Sequence, residues 1–148
     1  MIIINKRQHY FKENQIQQFL KLFQKDYLPK TIIIYEKRID LLKNLMPVFL
    51  DSIPIILGKT EGIFYPLTGV ICIFVFSEND DGDNKQSHQL YSLHTLCHEL
   101  RHRYQSVHKI NNHEELDADK FATKFMDSNS SKIRKIMKWK DEWEIEEY

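Results

Sequence analysis

The chain is poor in the residues that interrupt folded structure: four glycines and four prolines among 148 residues. It contains no low-complexity linker and no internal repeat that would divide it into separate units. Cysteine is scarce too. Cys72 and Cys97 are too few for a disulfide framework and match no C-x-x-C spacing, which favours a reducing compartment, and a cytoplasmic location is expected. Charge of one sign is also missing. Lys plus Arg number 21 and Asp plus Glu number 21, so no whole-molecule field would recruit a polyanion, and direct nucleic-acid binding is not expected. The longest apolar run, Val70-Ile71-Cys72-Ile73-Phe74-Val75-Phe76, falls far short of the roughly 20 residues a membrane helix needs. Ile2, Ile3 and Ile4 precede Asn5, Lys6 and Arg7, whereas an export signal carries its charges first, so no export signal is read there, and with the short apolar run a soluble protein is expected.

What remains has ordinary globular composition, with 42% hydrophobic, 28% charged and 12% aromatic residues, and one domain over residues 1–148 is expected. At this length folding buries roughly two-thirds of the unfolded surface, enough for a core without staples. Phe11, Ile16, Phe19, Leu20, Phe23 and Tyr27 recur at helical spacing before Pro29, and Leu41, Leu42, Leu45 and Met46 suggest a second helix before Pro47. Thr31-Ile32-Ile33-Ile34-Tyr35 reads as a buried strand. The stretches 53–57 and 70–76, separated by Gly58, Gly62, Pro66 and Gly69, suggest a small hairpin-rich sheet. Residues 77–84 are acidic and aperiodic, and Gly82 has His88 rather than Glu six places on, so a solvated loop is expected there rather than a calcium loop.

Helical periodicity returns at Leu90, Leu93, Cys97, Leu100, Tyr104 and Val107, with Ser87 available as N-cap. Asn111 and Asn112 should break that helix and cap the next, whose stripe is Ala118, Phe121, Ala122, Phe125 and Met126. A last helix is expected over 131–143, with 131–148 forming a C-terminal helix and tail. The resulting class is α+β: a short mixed or antiparallel sheet packed on a long helix and further helices.

The long helix carries His98-Glu99-Leu100-Arg101-His102. Helical residues four apart share a face, so both imidazoles can grip one metal ion, and Glu99 lies beside the open coordination position. There it can take a proton from an activated water and return it to a leaving amine. A catalytic zinc usually has three protein ligands, so a third must lie elsewhere. His108 has the spacing of the HExxHxxGxxH type, but Gln105 stands where that type turns on glycine. If the helix continues, His108 points about 120° away from His102. Glu115, in Glu115-Leu116-Asp117-Ala118-Asp119, is the better candidate, delivered by a second helix packed on the first through Ala118 and Ala122. Asp119, one turn on, can accept a hydrogen bond from the far nitrogen of a ligand histidine. Against this, Asn112 and Glu115 also spell a capping box. His94 shares the face of His98, while Cys97 points about 100° away and reads, like Cys72, as a core thiol.

His98 to His102 followed by Glu115-Leu116-Asp117-Ala118-Asp119-Lys120-Phe121-Ala122 resembles the HExxH and ExxA(D/N)xFA signature of gluzincin metallopeptidases, especially the ImmA/IrrE-like group. The resemblance covers 98–122 and departs from the group at Arg101, where a small residue is common. It implies a zincin-like domain with one Zn2+ held by His98, His102 and Glu115, Glu99 as acid/base, and Asp119 behind a ligand histidine. It also implies a protein or peptide substrate, such as a helix-turn-helix repressor of a phage or mobile element. By the same likeness the strand from Val70 to Phe76 would form the cleft edge to which an extended peptide adds. The oxyanion stabiliser is open among Tyr104, His113 and Arg103. A second reading is a non-catalytic binding module that recognises a partner through Ile133, Ile136, Met137, Trp139 and Trp143.

Overall fold

The computed structural model of the chain describes residues 1–44, 61–75, 85–110, 114–140 and 142–143. Among the described residues four strands form one sheet: β1 (Ile2–Ile4), β2 (Thr31–Tyr35), β3 (Gly62–Tyr65) and β4 (Val70–Phe74), in the spatial order β1-β2-β4-β3. β1, β2 and β4 are parallel, with Ile3 opposite Ile32 and Ile33 opposite Cys72, whereas β3 runs antiparallel to β4 with Ile63 opposite Cys72. Five helices accompany them among the described residues: α1 (Glu13–Leu20), α2 (Arg38–Asn44), α3 (Lys85–His108), α4 (Glu114–Ser128) and α5 (Ser130–Met137), with a 3-10 turn over Lys25–Tyr27. The domain is therefore α+β with a mixed sheet.

Strand periodicity divides the isoleucines. Ile32, Ile34, Ile71 and Ile73 join the main core, while Ile33, Tyr35, Cys72 and Phe74 pack with Leu41 on the other face. The main core is filled by Phe11, Ile16 and Phe19 from the N-terminal segment and by Leu93, Leu96, Cys97 and Leu100 from α3. Ala118 and Ala122 are fully buried, which lets α4 approach closely. Both cysteines are free and buried, and burial pushes the Cys72 thiol up to about 12, as expected of core thiols.

Several sequence expectations change. The parallel strands replace a hairpin-rich sheet: among the described residues β3 and β4 form one hairpin, turned at Gly69 with φ 68°. The first helix stops at Leu20, because residues 21–24 turn before the 3-10 segment that carries Tyr27. α3 begins at Lys85, two residues before Ser87, and Val107 on its expected apolar stripe is 41% exposed. It ends at His108, and Lys109, with a left-handed φ of 55°, reverses the chain while Ile110 donates back to the Gln105 carbonyl. α5 ends at Met137 rather than reaching 143, closed by Lys138 at φ 61°. The expected strand at 53–57, the loop 77–84 and the Asn111–Asn112 break and cap lie outside the described residues.

Trp139 is 9% exposed and donates through Nε1 to Gln89 Oε1 at 2.7 Å, and Trp143 packs against the same core. The terminal tryptophans are thus docked inward. No described helix is long and apolar enough to cross a membrane.

Candidate metal centre

His98 and His102 project from one face of α3, one turn apart, with their Nε2 atoms 2.8 Å from each other. Glu115 reaches over from the first turn of α4. Its two carboxylate oxygens lie 3.3 Å from His98 Nε2 and 3.3 Å from His102 Nε2. One donor atom from each of the three residues falls within 4.8 Å of the others, so His98, His102 and Glu115 could hold a metal ion. The donor set also fits chemically: two imidazole nitrogens and a carboxylate, the two histidines partly buried and the carboxylate open to the cleft.

The far side of His98 is tied down by Asp119, whose Oδ1 lies 2.7 Å from Nδ1. A carboxylate can only accept, so Nδ1 carries the proton and Nε2 offers its lone pair to the trio. Asp119 is one turn after Glu115, so a single helix supplies both a candidate ligand and the support of another. His102 Nδ1 lies 2.8 Å from Gln105 Oε1.

Glu99 turns from the same helix toward β3. It is 7% exposed, and its backbone partner is Phe64. Burial is the largest influence and raises its pKa; His98 and His102 oppose that, the charge of Glu115 adds to it, and the Phe64 hydrogen bond opposes it. The result is a carboxyl group that holds a proton more readily than usual, beside three candidate ligands. Close approach of β3 to α3 makes this possible. A Cβ on Gly62 would stand 2.6 Å from Thr95 Cγ2 and 3.0 Å from Glu99 Cγ, so only glycine fits there.

These groups line an open cleft of about 950 Å³, walled by Gly62–Phe64 and Pro66 on one side and by the start of α4 on the other. The topology corrects one expectation: β4 lies between β2 and β3, and among the described residues β3 is the sheet edge on the cleft. A strand hydrogen-bonded on both sides has no free edge to offer a peptide.

His108 lies away from the trio, with Nε2 3.2 Å from Asp26 Oδ2 on the 3-10 turn and its ring against Tyr104. His94 lines the cleft but meets Thr123 Oγ1 at 3.0 Å, and burial chiefly lowers its pKa. Tyr104 is stacked on Tyr27 at 4.4 Å, and neither it nor Arg103 lines the cleft; His113 lies outside the described residues.

Arg101 joins the two helices of the centre. Its guanidinium grips Asp117 through Nε at 2.6 Å and Nη2 at 3.1 Å, donates to the Tyr27 hydroxyl at 3.0 Å, and lies over the Tyr104 and Phe121 rings. That hydrogen bond holds the Asp117 carboxyl below its usual range. Arg101 therefore clamps α4, with Glu115 and Asp119, onto α3. Gly62 and the Arg101–Asp117 clamp escaped the sequence reading; the acid–base pairing of Arg101 with the ELDAD segment was the available signal for the clamp. No protein-family model, curated protein or solved structure matches the chain.

Proposed function

We propose that this protein is a zinc-dependent endopeptidase that hydrolyses peptide bonds of a protein substrate. The observation that carries the reading is the division of labour on α3 and α4: three convergent donors, and beside them a separate buried carboxyl with a raised pKa. The two His–Glu separations of 3.3 Å and the 2.8 Å between the imidazole nitrogens bring the three donors close enough that His98, His102 and Glu115 would hold one ion between them.

When bound, zinc would polarise a scissile carbonyl and bring the pKa of water to about 7. Glu99 accepts the proton of the attacking water on its carboxylate and delivers it to the leaving nitrogen, and its raised pKa suits it to carry that proton between the two events. Asp119 keeps the His98 proton on Nδ1. β3 offers its edge to an extended substrate, which aligns a peptide bond along the cleft. A protein such as a phage or mobile-element repressor is the substrate class that the signature supports. The alternative, a non-catalytic module recognising a partner through its aromatic C-terminal helix, draws little from Trp139 and Trp143, which face the core.

The test is bound metal by elemental mass spectrometry on chain purified without chelators, together with cleavage of a proteome-derived peptide library. One zinc per chain, lost in His98→Ala and Glu115→Ala, with cleavage abolished in a zinc-loaded Glu99→Gln, is the expected result. Cleavage that survives Glu99→Gln, or a chain that takes up no metal, would defeat the proposal.

A further inference from the structure

Gln105 is the most enclosed polar side chain among the described residues, 2% exposed, one turn below His102 on α3. Its Nε2 donates to the Glu114 carbonyl at 2.9 Å and to Asp117 Oδ2 at 2.9 Å. Neither acceptor can donate in return, since one is a main-chain carbonyl and the other a carboxylate already held by Arg101. The amide therefore has one orientation, because turning it over would set Oε1 against two acceptors. Oε1 is left facing His102 Nδ1 at 2.8 Å, and only an N–H can satisfy it there.

We propose that Gln105 is a positioning residue of the centre, fixing His102 in the Nδ1–H form so that its Nε2 lone pair faces Glu115. The inference rests on reading His98, His102 and Glu115 as a metal site. Asp119 does for His98 what Gln105 does for His102, and both supports depend on α4: Asp119 belongs to it, and Gln105 is oriented by Glu114 and Asp117. With both ring protons turned outward, two nitrogen lone pairs and a carboxylate converge with no proton among them. A cation is what relieves that convergence. Arg101 then belongs to the same device at one remove, because it holds the carboxylate that orients the amide, and the Tyr27 hydroxyl accepts a further hydrogen bond from that guanidinium.

Two variants separate positioning from packing. Gln105→Met keeps length and volume but removes the acceptor; Gln105→Glu keeps an acceptor toward His102 while setting a carboxylate against Asp117 and the Glu114 carbonyl. In the metal-free full chain, long-range proton–nitrogen NMR reports which ring nitrogen of His102 bears the proton, and competition with a chromophoric chelator reports zinc affinity. The expected result is an Nδ1–H ring in wild type and in Gln105→Glu, and a shift toward Nε2–H in Gln105→Met with zinc affinity about 10- to 100-fold weaker. A packing role predicts the reverse ranking, with Met harmless and Glu damaging. That ranking, or an unchanged ring proton in Gln105→Met, would overturn the proposal. If the Met variant does not fold, retained zinc affinity in Gln105→Glu supports the role and its loss overturns it. A wild-type chain that takes up no zinc would remove the metal reading, and the ring-proton measurement would still decide for or against Gln105.

Discussion

Two glutamates are buried to nearly the same depth, Glu36 at 4% and Glu99 at 7% exposure, in opposite surroundings. Glu36 sits just past the end of β2 and accepts four hydrogen bonds: from Asn5 Nδ2 at 2.8 Å and from the main-chain N–H groups of His9, Tyr10 and Phe11 at 2.8, 3.0 and 3.1 Å. The N-terminal segment is wrapped around a carboxylate. Among the described residues Glu99 has one main-chain partner, Phe64, and desolvation drives its pKa upward. Burial alone does not set the two apart. The supply of donors does, because a buried carboxylate is costly to desolvate where donors do not replace water.

The comparison can be broken most directly at Glu99. On the peptidase reading, Glu99→Gln lowers hydrolysis by about a hundred- to ten-thousandfold with metal content unchanged, measured by peptide turnover and elemental analysis. Glu36→Gln should do nothing to bound metal and instead cost about 3 kcal/mol in urea unfolding, since an amide nitrogen faces donors and strands at least one of them. If Glu36→Gln proved neutral, the hydrogen-bond argument would fail. Gly62→Ala comes next: the added methyl meets Thr95 and Glu99, and a loss of about 1–3 kcal/mol is expected; on the peptidase reading hydrolysis also falls further than stability explains, because Glu99 is displaced.

The smallest effect is the sharpest. In the metal-free chain, Glu99→Gln should stabilise at neutral pH, the opposite sign to Glu36→Gln. A folded pKa above the ordinary 4.5 means that the wild-type contribution is complete below that value and is lost as pH rises through the folded pKa. The two unfolding curves should therefore draw apart with rising pH and stay apart above the folded pKa. Superimposable stabilities at pH 4 and pH 7 would show that Glu99 is not strained by burial.

What the sequence disclosed was what is local. His98 and His102 are four apart, so helix geometry alone puts them side by side, and Ala118 and Ala122 mark the face on which α4 packs. The signature also pointed to Glu115 and Asp119. What stayed hidden depends on distant partners. Glu36 acquires its meaning from residues 25 to 31 places earlier, and Gly62 from Thr95 and Glu99 more than thirty places later. β1 is three isoleucines long, too short for its own periodicity, and exists through its register with β2. Nothing local in Val70–Phe74 says whether the strand lies at the edge or the centre of a sheet.

The three candidate ligands are unequally held. Both imidazoles are braced from behind and their side chains are 16–17% exposed, whereas the Glu115 side chain is 79% exposed and reaches in from the far bank of the cleft. An ion held there would rest in two fixed jaws under one swinging latch. Exchange with solvent would begin by rotating Glu115 outward, so the residence time of the ion would be governed by the first turn of α4 rather than by the helix that carries the histidines.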